Sequence, residues 1–374
     1  MLLLRPKHGI VEPLPVDAAE FFSAAQIERA EDYRTPQLAL YAGTLALEAG
    51  ALVWLIRRGV SRRPLLAGAV VSVTLVAVTL PLGAVMRQRS IDVGLTTRSW
   101  GGWAVDVAQS AAIGAVLAAV GAALAVFLAR RFGRRWWLPG SAVAVLIGAG
   151  FLYAGPVVID PLFNRFDPLP AGELRSDVLA LADEAGVDVG EVYEMDASKR
   201  TTAANAYVTG LGGSKRVVIY DTLIEDFTPE QTRLVVAHEL AHVKHRDVPN
   251  GLLYVLLVAP FGVFAIARLT ERWAGSDPRR WVPALALALG VVSTPVTMIS
   301  NQVSRRVEAR ADATALTLAG DGSAEAFVGF QRKIALQNVS DPDPPAWLHA
   351  LLGTHPTTVQ RIGIAERYAS RTGR

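Results

Sequence analysis

The sequence predicts a multi-pass α-helical membrane protein of about six spans, with a soluble α+β domain inserted between the fourth and fifth. Three observations carry this. Hydrophobic residues make up 51% of the chain against 19% charged, and they gather into runs long enough to cross a bilayer as helices. Short loops rich in Arg and Trp, side chains that favour the lipid–water boundary, separate the first four runs. After residue 159 the texture changes to mixed charge, Gly turns and ordinary amphipathic patterns. Mean hydropathy is +0.31, high for a soluble protein. The net charge of +3 is spread along the chain with no basic tail, so nucleic acid is not an expected partner. Cysteine is absent, which excludes a disulfide framework and a thiolate metal site.

Residues 1–35 are polar to amphipathic. "MLLLRPKHGIVEPLP" lacks the apolar core and cleavage site of a removable signal peptide. Asp17 with Glu20 resembles a capping box ahead of a short helix in "AAEFFSAAQIERAEDY". Residues 36–159 hold four spans, at 38–56, 65–86, 104–128 and 138–159. Glu48 falls in the middle of the first, where a carboxylate must face protein or a water-filled interior. Residues 160–248 form the soluble domain. There "GELRSDVLALADEAG" has helical spacing and stops at Gly186, and "EVYEM" reads as a strand. "NAYVTGLGGSKRVVIYD" reads as a β-hairpin around Gly212-Gly213. Thr228, Pro229 and Gln231 supply cap, first-turn proline and capping-box partner for the next helix. Residues 249–301 hold two more spans, at 251–267 and 281–300. Residues 302–374 comprise a polar, Arg-rich helix ended by Gly320 and a soluble tail containing "THPTTVQRI".

The helix that starts at Thr228 carries "LVVAHELAHVKHRD". Residues four apart share a helix face, so His238 and His242 can turn imidazole nitrogens towards one ion. Glu239 projects beside the pair, within reach of a water on that ion. Zinc makes such a water acidic near neutral pH. Glu239 can then take its proton during attack on a carbonyl and pass it to the leaving amine. A third ligand must lie on the same side of the membrane. Residues 160–248 and the segment after Ser300 are separated by two crossings, so they share a side. The latter offers Glu308, with Asp312 one turn further on the same face. Two histidines, one glutamate and a water form a known catalytic zinc set, so one Zn2+ per chain is expected. The inserted region is therefore read as a zincin-like metalloprotease domain. His245, three past His242, would point away from such an ion. His8 and His349 have no evident partner.

These residues resemble the integral-membrane zinc proteases of the CAAX prenyl protease 1 type. The likeness runs from about residue 23 to 367. It rests on "VVAHELAHVKHRD" and "SRRVEARADATAL", with "PLFNRFDPLPAGELR", "MDASKRTTAANAYVTGLGGSKRVVIYDTL" and "THPTTVQRI" in the family's order. The resemblance implies that His238, His242 and Glu308 are the metal ligands and Glu239 the catalytic base. It implies that Asp312 orients a ligand histidine, and that His355 and Arg361 lie near the scissile carbonyl, where a donor could stabilise an oxyanion. An Arg361 salt bridge to Asp312 or Glu308 would instead be structural. Asn205, Ala206 and Tyr207 match the strand edge on which the family lays an extended substrate, and an unpaired hairpin edge can accept a peptide as an added strand.

Two features depart from the family. Its members usually have one more span ahead of the matching region, so six helices with one wall of the chamber altered or open are expected. Nothing in the chain speaks of a prenyl group. Lys and Arg balance on the two sides of the spans, so the positive-inside rule does not orient the chain. The resemblance implies a zinc site towards the cytoplasm. The expected substrate is a peptide or protein, membrane-associated or hydrophobic, and the lipid bilayer is the other partner. The oligomeric state is not legible. The rival readings are a membrane quality-control protease with the same chemistry, a non-catalytic zinc-stabilised scaffold or transporter, and a solute carrier with Glu48 on its path.

Overall fold

The computed structural model describes residues 6, 8–210 and 215–373. Among them, six helices are long and apolar enough to cross a membrane. The chain enters through α1 (Ala18–Phe21) and α2 (Ala24–Arg58). The single amphipathic helix expected there is broken at Phe22. Asp17 accepts from the Ala19 amide, but the reciprocal box belongs to Ser23 and Gln26, which cap α2. A second cap so close to the first stops α1 after one turn. α2 then runs through Pro36 into the first span, so residue 35 lies inside a helix. Proline removes one backbone donor, a loss that the flanking turns absorb. Glu48 is half-buried in α2, and no described group pairs with its carboxylate.

Three more spans follow: α3 (Pro64–Asp92), α4 (Trp100–Phe132) and α5 (Trp137–Val158). The soluble domain comes next. It contains β1 (Phe166–Pro168), α6 (Glu173–Ala185), β2 (Glu191–Met195), β3 (Ala206–Thr209), β4 (Arg216–Tyr220), α7 (Asp221–Asp226) and α8 (Pro229–Lys244). The sheet order is β1-β2-β4-β3. β3 and β4 pair antiparallel, Ala206 opposite Ile219, as the hairpin pattern implies. Its turn at Gly212-Gly213 lies outside the described residues. β2 lies parallel to β4, and β1 adds antiparallel to β2. β1 escaped the sequence reading because three residues ending in Pro168 show no alternation. Val192, Val217 and Ile219 of the sheet are buried against Leu181 of α6 and Val236, Ala237 and Leu240 of α8.

The chain returns to the membrane with α9 (Asp247–Ala274) and α10 (Pro278–Ala319), then closes with α11 (Ser323–Gln337), α12 (Ala346–Leu352) and α13 (Thr358–Thr372). The sixth span and the polar helix, expected as separate elements, are one helix of 42 residues. No glycine or proline stands between Ser300 and Ala319 to stop it. At about 1.5 Å per residue it is about 63 Å long, roughly twice the hydrocarbon core of a bilayer. Its outer half joins the soluble domain, where Ala315 and Leu316 are fully buried. Large apolar side chains cover the flanks of the spans, as on Leu146 of α5 (70% exposed) and Phe261 of α9 (77% exposed). Contiguous apolar surface of this kind suits lipid. The soluble domain is tied to α4 and to the loop before it. Arg98 and Arg200 both pair with Asp106, and Thr96 bridges to Thr201.

α3 and α4 cross closely at Gly68, where an added Cβ would lie 2.3 Å from the Ala118 carbonyl oxygen. Small residues allow helix backbones to approach in this way. Gly68→Leu is expected to force the pair apart and cost about 1–3 kcal/mol, read as a lower melting temperature in detergent. Gly83→Ala, in the interior of α3 with nothing within 4 Å of the added carbon, should leave the midpoint unchanged or raise it slightly.

Candidate active site

α8 begins on a complete capping box, with Thr228 Oγ1 accepting from the Gln231 amide and Gln231 Oε1 from the Thr228 amide. This fixes the helical register that puts His238 and His242 on one face. Their rings lie 4.8 Å apart and nearly perpendicular. α8 ends at His245, and Arg246 turns the chain with φ 55° in the left-handed region. That turn starts α9 at Asp247 and brings the aspartate back beneath α8. Its Oδ2 lies 3.0 Å from His242 Nδ1, and Arg310 of α10 holds its other oxygen. A left-handed non-glycine residue is uncommon, and such backbone clusters at functional sites.

Glu308 comes from the facing turn of α10. Its Oε2 lies 3.1 Å from His238 Nε2 and 3.7 Å from His242 Nε2, and the two Nε2 atoms are 3.2 Å apart. Two ring nitrogens and a carboxylate oxygen at these separations cannot all present lone pairs unless a cation lies among them. The ligand atoms of a tetrahedral ion with bonds of about 2.0–2.1 Å are about 3.3–3.4 Å apart, so the donor set fits one divalent ion. The opposite nitrogen of each ring meets a carboxylate, which leaves Nε2 as the coordinating atom. At His242 this is the Asp247 bond. At His238, Nδ1 lies 2.9 Å from Asp312 Oδ1, but the oxygen stands off the N–H axis, so the pair is electrostatic more than a directed bond.

Burial opposes charge on both rings. The carboxylates of Asp312 and Glu308 outweigh it at His238 and push its pKa up to about 9. Asp247 and Glu308 do the same at His242, up to about 10. In the absence of metal, therefore, the site holds protons that a metal must displace.

Asp312 is fully buried and also receives Arg361, whose Nε and Nη2 lie 2.9 and 2.5 Å from its two oxygens. Arg361, which the resemblance puts beside the scissile carbonyl, borders the cavity next to Glu239, but two of its donors are committed to Asp312. Glu239 is half-buried, and burial raises its pKa against the pull of His238 and His242. His355 reaches in from the loop after α12, its Nε2 3.2 Å from Glu308 Oε2, with half of its side chain exposed.

Glu239, His238, His355 and Arg361 line a cavity of about 100 Å³ with Ala204, Asn205 and an apolar floor that includes Leu223, Leu234, Phe327 and Phe330. Asn205 precedes β3, which lies at the sheet edge, and its carbonyl accepts from the Tyr220 amide. Ala206 is buried in the core, and the Tyr207 hydroxyl points to Asp160, 3.4 Å away. The edge therefore offers backbone, with Asn205 alone of the three facing the cavity. His245 bonds to Thr314 and stands outside the cluster.

Sequence reasoning missed Asp247, although it closes the quoted motif. Its position five past His242 matters only because the helix breaks between them. The apolar floor, drawn from α7, α8 and α11, had no local signal.

A family model described as peptidase family M48 matches residues 168–369, and one described as CAAX prenyl protease N-terminal, five membrane helices, matches residues 90–165. The chain is 34% identical over 308 residues to a Bacillus subtilis (strain 168) protein named uncharacterized metalloprotease YhfN, covering 80% of this chain and 72% of that one. It is 31% identical over 220 residues to the CAAX prenyl protease 1 homolog of Oryza sativa subsp. japonica, covering 56% of this chain and 51% of that one. It thus spans about half the length of that plant relative. The crystal structure of S. mikatae Ste24p has a similar fold, with a TM-score of 0.78 at 19% identity over 98% of this chain and 93% of that one.

Because metal uptake must displace protons from His238 and His242, apparent affinity should rise with pH up to about 10, less steeply above about 9 where His238 has already lost its proton, by up to about tenfold per unit for each proton released. Asp247→Asn should weaken binding about 10–100-fold. Chelator competition measures both.

Proposed function

The chain belongs to peptidase family M48 and is a multi-pass membrane metallopeptidase, and from that premise we propose that its metal is zinc, held by His238, His242 and Glu308, with Glu239 as the catalytic base. The observation that carries the reading is the convergence of three Lewis bases from α8 and α10, with a half-buried carboxylate beside them. Two imidazoles and one carboxylate without a thiolate are a catalytic zinc set. Zinc, when bound, supplies Lewis acidity that polarises a carbonyl and makes water nucleophilic near neutral pH.

Glu239 takes the proton of the attacking water and delivers it to the leaving amine. The His355 Nε2–H, which faces Glu308 Oε2 at 3.2 Å in the free site, turns to the carbonyl oxygen as that oxygen gains charge. Asp247 and Asp312 hold the two rings, and Arg361 acts through Asp312 as a positioning residue. The substrate peptide lies extended along the edge at residues 205–207, bound through backbone. The cavity beside Glu239 takes one aliphatic side chain on its apolar floor. The substrate comes from a membrane-associated or hydrophobic protein, since α10 carries the site directly out of a span. We place the site towards the cytoplasm on the resemblance to the CAAX prenyl protease 1 type alone. A structural scaffold would have no use for a half-buried base at Glu239.

Glu239→Gln should keep metal content at that of the native protein while kcat falls about 10²–10⁴-fold. Metal quantification beside a quenched-fluorescence peptide assay reads both, and retained turnover would contradict the base assignment. In the same assay, with the peptide varied one position at a time, the position that fills this cavity should favour Leu, Ile or Val over Asp or Lys by at least about tenfold in rate, because burying a charge on this floor is costly.

A further inference from the structure

We propose that Arg305 and His349 are positioning residues that latch the loop carrying His355 over the metal site, a reading that rests on the role given to His355 above. α12 has seven residues, too few to hold a helix unaided. The Gly353 amide caps the His349 carbonyl, the carbonyls after it lack partners within the helix, and α10 supplies those and a second donor to His349. Asn301 Nδ2 donates to the Leu351 carbonyl (3.0 Å), and Gln302 donates to that of Ala350. Arg305 Nη1 donates to the carbonyls of His349 (3.1 Å) and Gly353 (2.7 Å). Asn301 and Arg305 lie on the same stripe of α10 as Glu308, so one helix fixes both the carboxylate and the loop that meets it.

The second half of the latch is His349. Its Nε2–H donates to the His355 carbonyl at 2.8 Å, folding the loop back on itself. Gly353 leaves room for that fold, since a Cβ there would lie 2.4 Å from His349 Cδ2. The His355 backbone is thereby held from behind while its side chain is held in front. Thr354 Oγ1 lies 2.9 Å from Nδ1, and with the hydroxyl donating, the ring proton sits on Nε2, which faces Glu308 at 3.2 Å. A half-exposed histidine on a loop has many rotamers and backbone states open to it, and misplacement by about 1 Å can cost on the order of a hundredfold in rate. Neither Arg305 nor His349 touches the Glu239 cavity.

The test is a double-mutant cycle on the purified full chain with a quenched-fluorescence peptide, with hydrogen exchange of residues 349–356 as a readout that needs no turnover. His349→Phe and Gly353→Ala should each lower kcat about 10–100-fold, with KM and metal content unchanged and faster exchange in the loop. Arg305→Lys, which cannot fork to several carbonyls, should do the same, while His349→Gln, which keeps an N–H donor, should recover most of the rate. In a His355→Ala background, His349→Phe should change kcat by less than about twofold, because coupled residues are not additive. Native kcat in His349→Phe, or an equal loss with and without His355, would overturn the latch while leaving His355 in place. Native kcat in His355→Ala would overturn the role of His355, and the latch with it.

Discussion

The candidate site depends on bringing three lone pairs, from two imidazoles and one carboxylate, together around one cation. Two imidazole nitrogens 3.2 Å apart, each close to the same carboxylate oxygen, are mutually repulsive unless a proton or a metal lies among them. The fold imposes that arrangement from two directions. α8 supplies both rings from one face, with its register set by a capping box. α10 supplies Glu308 after crossing the membrane and continuing unbroken into the soluble domain. Because α9 and α10 form a pair of crossings, the carboxylate returns to the side that the histidines never left.

α10 is the element on which the site is assembled. One face of it presents, in order, the side chains that hold the end of α12, then Glu308, then Asp312. Asp312 is the most demanding of these. It is fully buried and ionic, and it is sustained by Arg361 on one side and His238 on the other. Removing one member of such a buried set leaves an uncompensated charge, at a cost of about 3–5 kcal/mol. The triad therefore makes the orientation of His238 depend on α13, and through it on the packing of the C-terminal helices. Asp247 with Arg310 performs the same service for His242, this time through the break between α8 and α9.

Much of this was legible in the residues because it rests on local rules. The spans followed from apolar run length, the start of α8 from Thr228, Pro229 and Gln231, and the pairing of β3 with β4 from alternation. His238, His242, Glu308 and Asp312 could be placed on one site because i,i+4 spacing and the parity of membrane crossings are readable without coordinates. What stayed hidden depends on chain reversal or on what is missing from a pattern. Asp247 approaches His242 only through a left-handed Arg246. His349 had no apparent partner because its partner is a backbone carbonyl, which carries no side-chain signal. α10 looked like two helices because its composition changes at Ser300 while its hydrogen bonding does not. The break between α1 and α2 was missed because two overlapping caps compete there, and Ser23 with Gln26 prevails over Asp17.

X-ray absorption at the zinc edge on the purified, metal-loaded chain reads the ligand set itself. Zinc held by His238, His242 and Glu308 should give a shell of about four nitrogen and oxygen atoms at about 2.0–2.1 Å, two of them imidazole, with one imidazole or the bound zinc lost in His242→Ala. A six-oxygen shell, or a spectrum unchanged by His242→Ala, would contradict that ligand set.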